Sequence, residues 1–99
     1  MKESLYESLK AYGDSDFYPF HMPGHKRNAQ SGPLSEWYKC DITEIDGFDN
    51  LHQPEGILLD AQKRAAKLFG SEETYFLVNG STAGILSAIS AAATKGRKL

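Results

Sequence analysis

The sequence predicts an α/β unit, mostly helical, with one recognisable strand. Three observations lead there. Residues 57–68 place Ile57, Ala61, Ala65 and Leu68 at helical intervals, residues 74–78 (Thr-Tyr-Phe-Leu-Val) form a β-branched and aromatic run between turn-forming residues, and a second helical pattern with Ile85, Ile89, Ala92 and Ala93 on one face follows. Helix, strand and helix in that order are the pattern of an α/β arrangement.

Taken from the start, residues 3–12 carry Leu5, Leu9 and Tyr12 at helical spacing, and Gly13 follows where a helix would stop, which predicts a short amphipathic helix. From residue 14 to about 51 the period is lost among Pro19, Pro23, Gly24, Gly32, Pro33 and Gly47, with one helical turn around 35–39. Phe17, Tyr18, Phe20, Trp37, Tyr38 and Phe48 supply more apolar surface here than a disordered linker carries, so the segment reads as ordered loop. The helix over 57–68 sets Asp60, Lys63, Arg64 and Lys67 on its other faces and ends at Gly70. The run at 74–78 fits a buried strand, and the last helix begins at Ser81 or Thr82, reaches about Thr94 and ends at Gly96. A buried strand needs partners for its N–H and C=O groups, so this strand implies neighbours, which residues 97–99 would begin to approach. The chain divides into a helix and loop segment, 1–52, and a helix–strand–helix segment, 53–99.

Composition excludes several classes. At 99 residues there is room for one small domain. The net charge is −2, and the basic cluster Lys95, Arg97 and Lys98 has no interleaved aromatic residue, which argues against nucleic-acid binding. Cys40 is the sole cysteine, so no internal disulfide forms, and the expected compartment is the reducing cytoplasm. The sequence shows neither a signal-peptide h-region nor an apolar run of ~20 residues, so no membrane span is expected.

Three segments could carry chemistry. In Val78-Asn79-Gly80-Ser81-Thr82-Ala83-Gly84 a predicted strand runs into a glycine-flanked turn with two hydroxyls at a helix start. Free N–H groups, the helix dipole and hydroxyl donors suit that end to a phosphate; Ser81 or Thr82 could equally serve as a helix cap. The second segment, Phe20-His21-Met22-Pro23-Gly24-His25-Lys26-Arg27, gathers two imidazoles and two cations. The spacing of His21 and His25 would suit metal ligands on a helix, but Pro23 and Gly24 break a helix and no nearby Cys, Asp or Glu completes a set. No metal site is assigned, and the segment reads as a polar loop whose side chains bind backbone carbonyls or a partner. The third segment holds Asp41, Glu44, Asp46 and Asp49 close together, and such acids read as solvated or paired with local Lys and Arg.

In order and together, Phe20-His21-Met22-Pro23-Gly24-His25-Lys26, the acidic run from Asp41 to Asp49, Asn50-Leu51-His52-Gln53-Pro54-Glu55-Gly56-Ile57, Leu68-Phe69-Gly70 and Phe76-Leu77-Val78-Asn79-Gly80-Ser81-Thr82 resemble the major domain of the bacterial Orn/Lys/Arg decarboxylases. The resemblance covers residues 3–99 and is to the N-terminal part of a short member without the extra wing domain. It implies a fold type I, pyridoxal-phosphate (PLP) dependent lyase of polyamine biosynthesis. Such an enzyme converts lysine, arginine or ornithine to the amine and CO2, and is normally a homo-oligomer. It also implies that Gly80, Ser81 and Thr82 hold the PLP phosphate. The lysine that binds PLP covalently, the carboxylate paired with the ring nitrogen and the aromatic stacked on the ring would all lie beyond Leu99, so no catalytic residue is assigned and these 99 residues alone are expected to be inactive. The choice among the three amino acids, and the roles of His21, His25 and Lys26, stay open. The alternative is a stand-alone, non-catalytic interaction or assembly module derived from the same family.

Overall fold

The computed structural model describes residues 3–28 and 32–93. Four helices follow one another: α1 (Leu5–Gly13), α2 (Ser35–Tyr38), α3 (Ile57–Phe69) and α4 (Gly80–Ala92). The expected end of the last helix at Thr94 and Gly96, and the basic cluster of Lys95, Arg97 and Lys98, lie outside the described residues.

The expected α/β class is corrected. Among the described residues there is no strand, and 74–78 is an irregular connection between α3 and α4. The residue types there suit a pleated surface, but a strand exists only where a neighbouring segment offers a ladder of acceptors and donors, and none does. Tyr75 and Leu77 accordingly stay exposed.

α1 begins in a capping box: the Ser4 hydroxyl accepts from the Glu7 N–H at 3.2 Å, while the Glu7 carboxylate accepts from the Ser4 N–H at 2.7 Å. The Ser4 N–H, then the Ser4 hydroxyl, and more weakly Arg64 on α3, hold the Glu7 carboxyl below its ordinary range. α1 and α3 are in contact. α3 ends at Gly70 in the left-handed conformation (φ 67°), with the Gly70 and Ser71 N–H groups both donating to the Ala66 carbonyl. Its buried line is Gln62 and Ala66, one position round from the expected Ile57, Ala61, Ala65 and Leu68; Leu68 is 81% exposed.

The loop between α1 and α3 is ordered around Tyr12. Phe17 stacks on that ring with centroids 6.3 Å apart, Phe48 meets it edge-on at 5.6 Å, and the Arg27 guanidinium lies 5.1 Å from its centroid. Phe20 meets the Tyr18 ring with centroids 4.8 Å apart, but both it and Trp37 remain largely exposed.

Candidate functional site

The start of α4 has an unusual approach. Asn79 (φ 62°, ψ 30°) and Gly80 (φ 73°) are consecutive left-handed residues, and the chain enters the helix through them. Among the described residues no side chain caps the helix start, that of Asn79 included. Ser81 and Thr82, which the sequence offered as possible caps, lie inside the first turn with exposed side chains, and the cap position belongs to Asn79. Nothing stands within 4 Å of where a Cβ on Gly80 would be, so the backbone there is open to an approaching group. Helix-start N–H groups, the positive end of a 13-residue helix and two hydroxyls lie together here, the features by which a helix start can receive an anion.

The loop at 20–27 is stapled by its own polar side chains. His25 Nδ1 accepts from the Arg27 N–H at 3.0 Å, which leaves the ring proton on Nε2 to donate to Asp41 Oδ2 at 2.9 Å. The same ring stacks on Tyr38 with centroids 4.2 Å apart. His21 is engaged at both nitrogens too, with the Tyr12 hydroxyl at 3.2 Å and the Thr43 hydroxyl at 3.0 Å. Lys26 Nζ donates to the His21 carbonyl at 2.5 Å. Arg27 donates to three carbonyls, those of Gly13, Ser15 and Phe17, at 2.7, 2.9 and 2.8 Å, and so caps the end of α1. The expectation of a polar loop that binds backbone carbonyls holds for Lys26 and Arg27. No group of three or more His, Cys, Asp or Glu side chains gathers as metal ligands among the described residues.

The acidic run divides differently from the sequence reading. Asp41 pairs with His25 rather than with a Lys or Arg. Asp49 accepts four backbone N–H groups: Asn50 (2.9 Å) and Glu55 (3.0 Å) at Oδ1, Gly56 (2.8 Å) and Leu58 (3.1 Å) at Oδ2. These bonds, led by that from Glu55, hold its carboxyl far below the ordinary range. The sequence signal for this was present in part, since an acid ahead of a helix start is favoured by the dipole; the intervening chain hid the connection.

The chain belongs to the Orn/Lys/Arg decarboxylase family: the family model described as Orn/Lys/Arg decarboxylase, major domain, matches residues 3–99. Among its relatives is the uncharacterized protein YaaO of Bacillus subtilis (strain 168), 39% identical over 97 residues, covering 90% of this chain and 20% of that protein. An arginine decarboxylase of the same organism is 34% identical over 101 residues, 96% of this chain and 21% of that protein. The constitutive ornithine decarboxylase of Escherichia coli (strain K12) is 30% identical over 104 residues, 93% of this chain and 15% of that protein. The chain thus spans about a fifth or less of the length of these relatives. No solved structure matches it. Among the described residues no helix is long and apolar enough to cross a membrane.

Proposed function

We propose that the protein carrying this chain is a PLP-dependent decarboxylase of a basic amino acid (lysine, arginine or ornithine), working as a homo-oligomer, and that Gly80, Ser81 and Thr82 hold the cofactor's phosphate. The observation that carries the site is the start of α4, where two hydroxyls sit in a first turn whose N–H groups meet no capping side chain among the described residues. The family supports the activity, and the names of the relatives, arginine decarboxylase and ornithine decarboxylase, support a basic substrate. When bound, PLP supplies an electron sink for the charge left by loss of CO2. The residues of this chain bind and orient: the N–H groups of Ser81 and Thr82 and their hydroxyls donate to phosphate oxygens, and Gly80 lets the phosphate approach the backbone. The stapled loop at 20–27 holds the chain after α1 in one shape. The 99 residues alone are inactive in this reading, since none of them is assigned to the chemical step.

The test has two parts. The complete protein with PLP should release CO2 from at least one of lysine, arginine and ornithine, and the 99-residue chain should release none above free PLP. In the complete protein, Ser81→Ala with Thr82→Ala should weaken PLP binding by roughly tenfold to a few hundredfold, the loss of one to two charge-assisted hydrogen bonds worth about 1.5–3 kcal/mol each. Unchanged affinity in a folded double variant would return both residues to ordinary positions in a helix turn.

A further inference from the structure

Resting on that phosphate reading, we propose that Asn79, Leu77 and Gly84 are positioning residues for the phosphate: the left-handed turn at Asn79–Gly80, held by the seating of Leu77 on Gly84, aims the N–H groups of the α4 start. Among the described residues no side-chain capping bond fixes this start. Its direction therefore comes from the backbone turn and from whatever packs beside it. Asn79 is left-handed at φ 62°, a conformation that costs a residue with a Cβ but is best tolerated by asparagine. Gly80 follows at φ 73°. The reversal these two make brings the incoming chain back over the helix. There the Leu77 side chain lies where a side chain at position 84 would be: a Cβ on Gly84 would stand 2.5 Å from Leu77 Cδ1 and 3.7 Å from its Cγ and Cδ2.

Gly84 lies within α4, where glycine weakens a helix relative to alanine, and it is not among the residues of positive φ. Its want of a side chain is accounted for by Leu77. Leu77 is 55% exposed, so an alanine at 84 would be accommodated by rotating it away, and what is lost is the seat rather than the fold. Neither Leu77 nor Gly84 offers a side-chain donor to phosphate, so their effect on binding would run through the turn alone.

The experiment measures PLP affinity of the apo form of the complete protein, with melting temperature recorded for every variant. Asn79→Gly, which accepts a left-handed φ freely, should keep the affinity within about twofold, while Asn79→Ala should weaken it about fivefold to tenfold, because binding must restore a turn that alanine disfavours. Leu77→Ala and Gly84→Ala should each weaken it, and the double variant should be no weaker than Leu77→Ala alone, since both remove the same contact. The losses of affinity should not follow the order of the apo melting temperatures across the variants, whereas general destabilisation would make the two run together. Equal losses in Asn79→Gly and Asn79→Ala, no loss in Asn79→Ala, or additive losses at 77 and 84 would overturn the proposal. If those failures came with a weakened Ser81→Ala, Thr82→Ala variant, the phosphate reading would stand and only the positioning role would fall; an unaffected Ser81→Ala, Thr82→Ala variant would remove both.

Discussion

Asp49 supplies what α3 lacks at its own start. Gly56 at the cap position has no side chain to offer, and the Asp49 carboxylate, brought round by a left-handed φ of 68°, takes the Gly56 and Leu58 N–H groups instead. Replacing it with asparagine leaves one acceptor oxygen where there were two and turns an amide donor toward backbone donors, so Asp49→Asn should lower the melting temperature at neutral pH. The pH dependence has a definite sign. A carboxyl held below its ordinary value of 3.8 contributes stability above that value and loses it as pH falls through and below it toward the folded pKa. Wild type should therefore lose thermal stability below pH about 4 more steeply than Asp49→Asn, whose site does not titrate. Equal acid sensitivity in the two proteins would show that the cradle does not discriminate the charged form. Arg27 makes a second test, because its forked donors reach three carbonyls and its plane lies over Tyr12. Lysine keeps the charge but has no planar fork, so Arg27→Lys should destabilise the chain by roughly 1–3 kcal/mol in denaturant unfolding. At this scale the sequence was partly legible. The cations and acids of 20–27 and 41–49 are visible as clusters, but the partners of Lys26, Arg27 and Asp49 are backbone groups, and a backbone partner leaves no mark in the residue pattern.

The helices were legible where pattern and termination coincide. α3 shows apolar periodicity closed by Gly70, and its bounds follow. Its buried line differs from the stripe that four small or aliphatic positions predict, because contact with a neighbour decides which side of that stripe is covered, and here Gln62 and Ala66 are the covered pair. α1 carried a readable signature, Ser4 and Glu7 three residues apart, that fixes its first turn more sharply than its periodicity does. Ser4→Ala should cost about 0.5–2 kcal/mol, measured as loss of helical circular dichroism and a lower unfolding midpoint, because it removes the acceptor of the Glu7 N–H while the N–H of residue 4 still reaches the Glu7 carboxylate. The segment at 74–78 failed for the opposite reason. Helical hydrogen bonds are made within the segment that folds, so a helix can be read from one stretch of sequence; a strand is completed by another segment, and composition at 74–78 says nothing of whether that segment is present. The candidate site at 80–82 was legible as a glycine-flanked turn with hydroxyls, while the left-handed φ of Asn79 and the seating of Leu77 on Gly84 depend on how the chain reverses.

The 99-residue chain taken by itself exposes more surface than a compact chain of the same size. Its accessible area is 8181 Å² at 10.9 kDa, where a compact monomer of that mass exposes roughly 5,600 Å². Its radius of gyration is 17.6 Å against about 13 Å for a compact chain of this length. The difference in area exceeds the ~800 Å² that each partner buries in a standard interface. Much of what is uncovered is apolar: Phe69, Tyr75, Phe76, Leu77, Ile85, Leu86 and Ile89 lie along α3, α4 and the connection between them, and of the described apolar residues on α3 it is Ala66 that is buried. Exposed contiguous apolar surface drives association, because covering it removes about 25 cal/mol of unfavourable hydration per Å². As an isolated polypeptide the 99 residues should therefore associate with further copies. Light scattering across a range of concentrations should give a mass above that of one chain and rising with concentration, and a dye that fluoresces on apolar surface should bind the dilute chain. Paired substitutions on α4, Ile85→Lys with Ile89→Lys, should lower the associated mass, since two charges on that face resist burial. A compact monomer at every concentration, unfolding cooperatively and binding no dye, would mean that the apolar faces find cover within a single chain, and the excess area would lose its meaning.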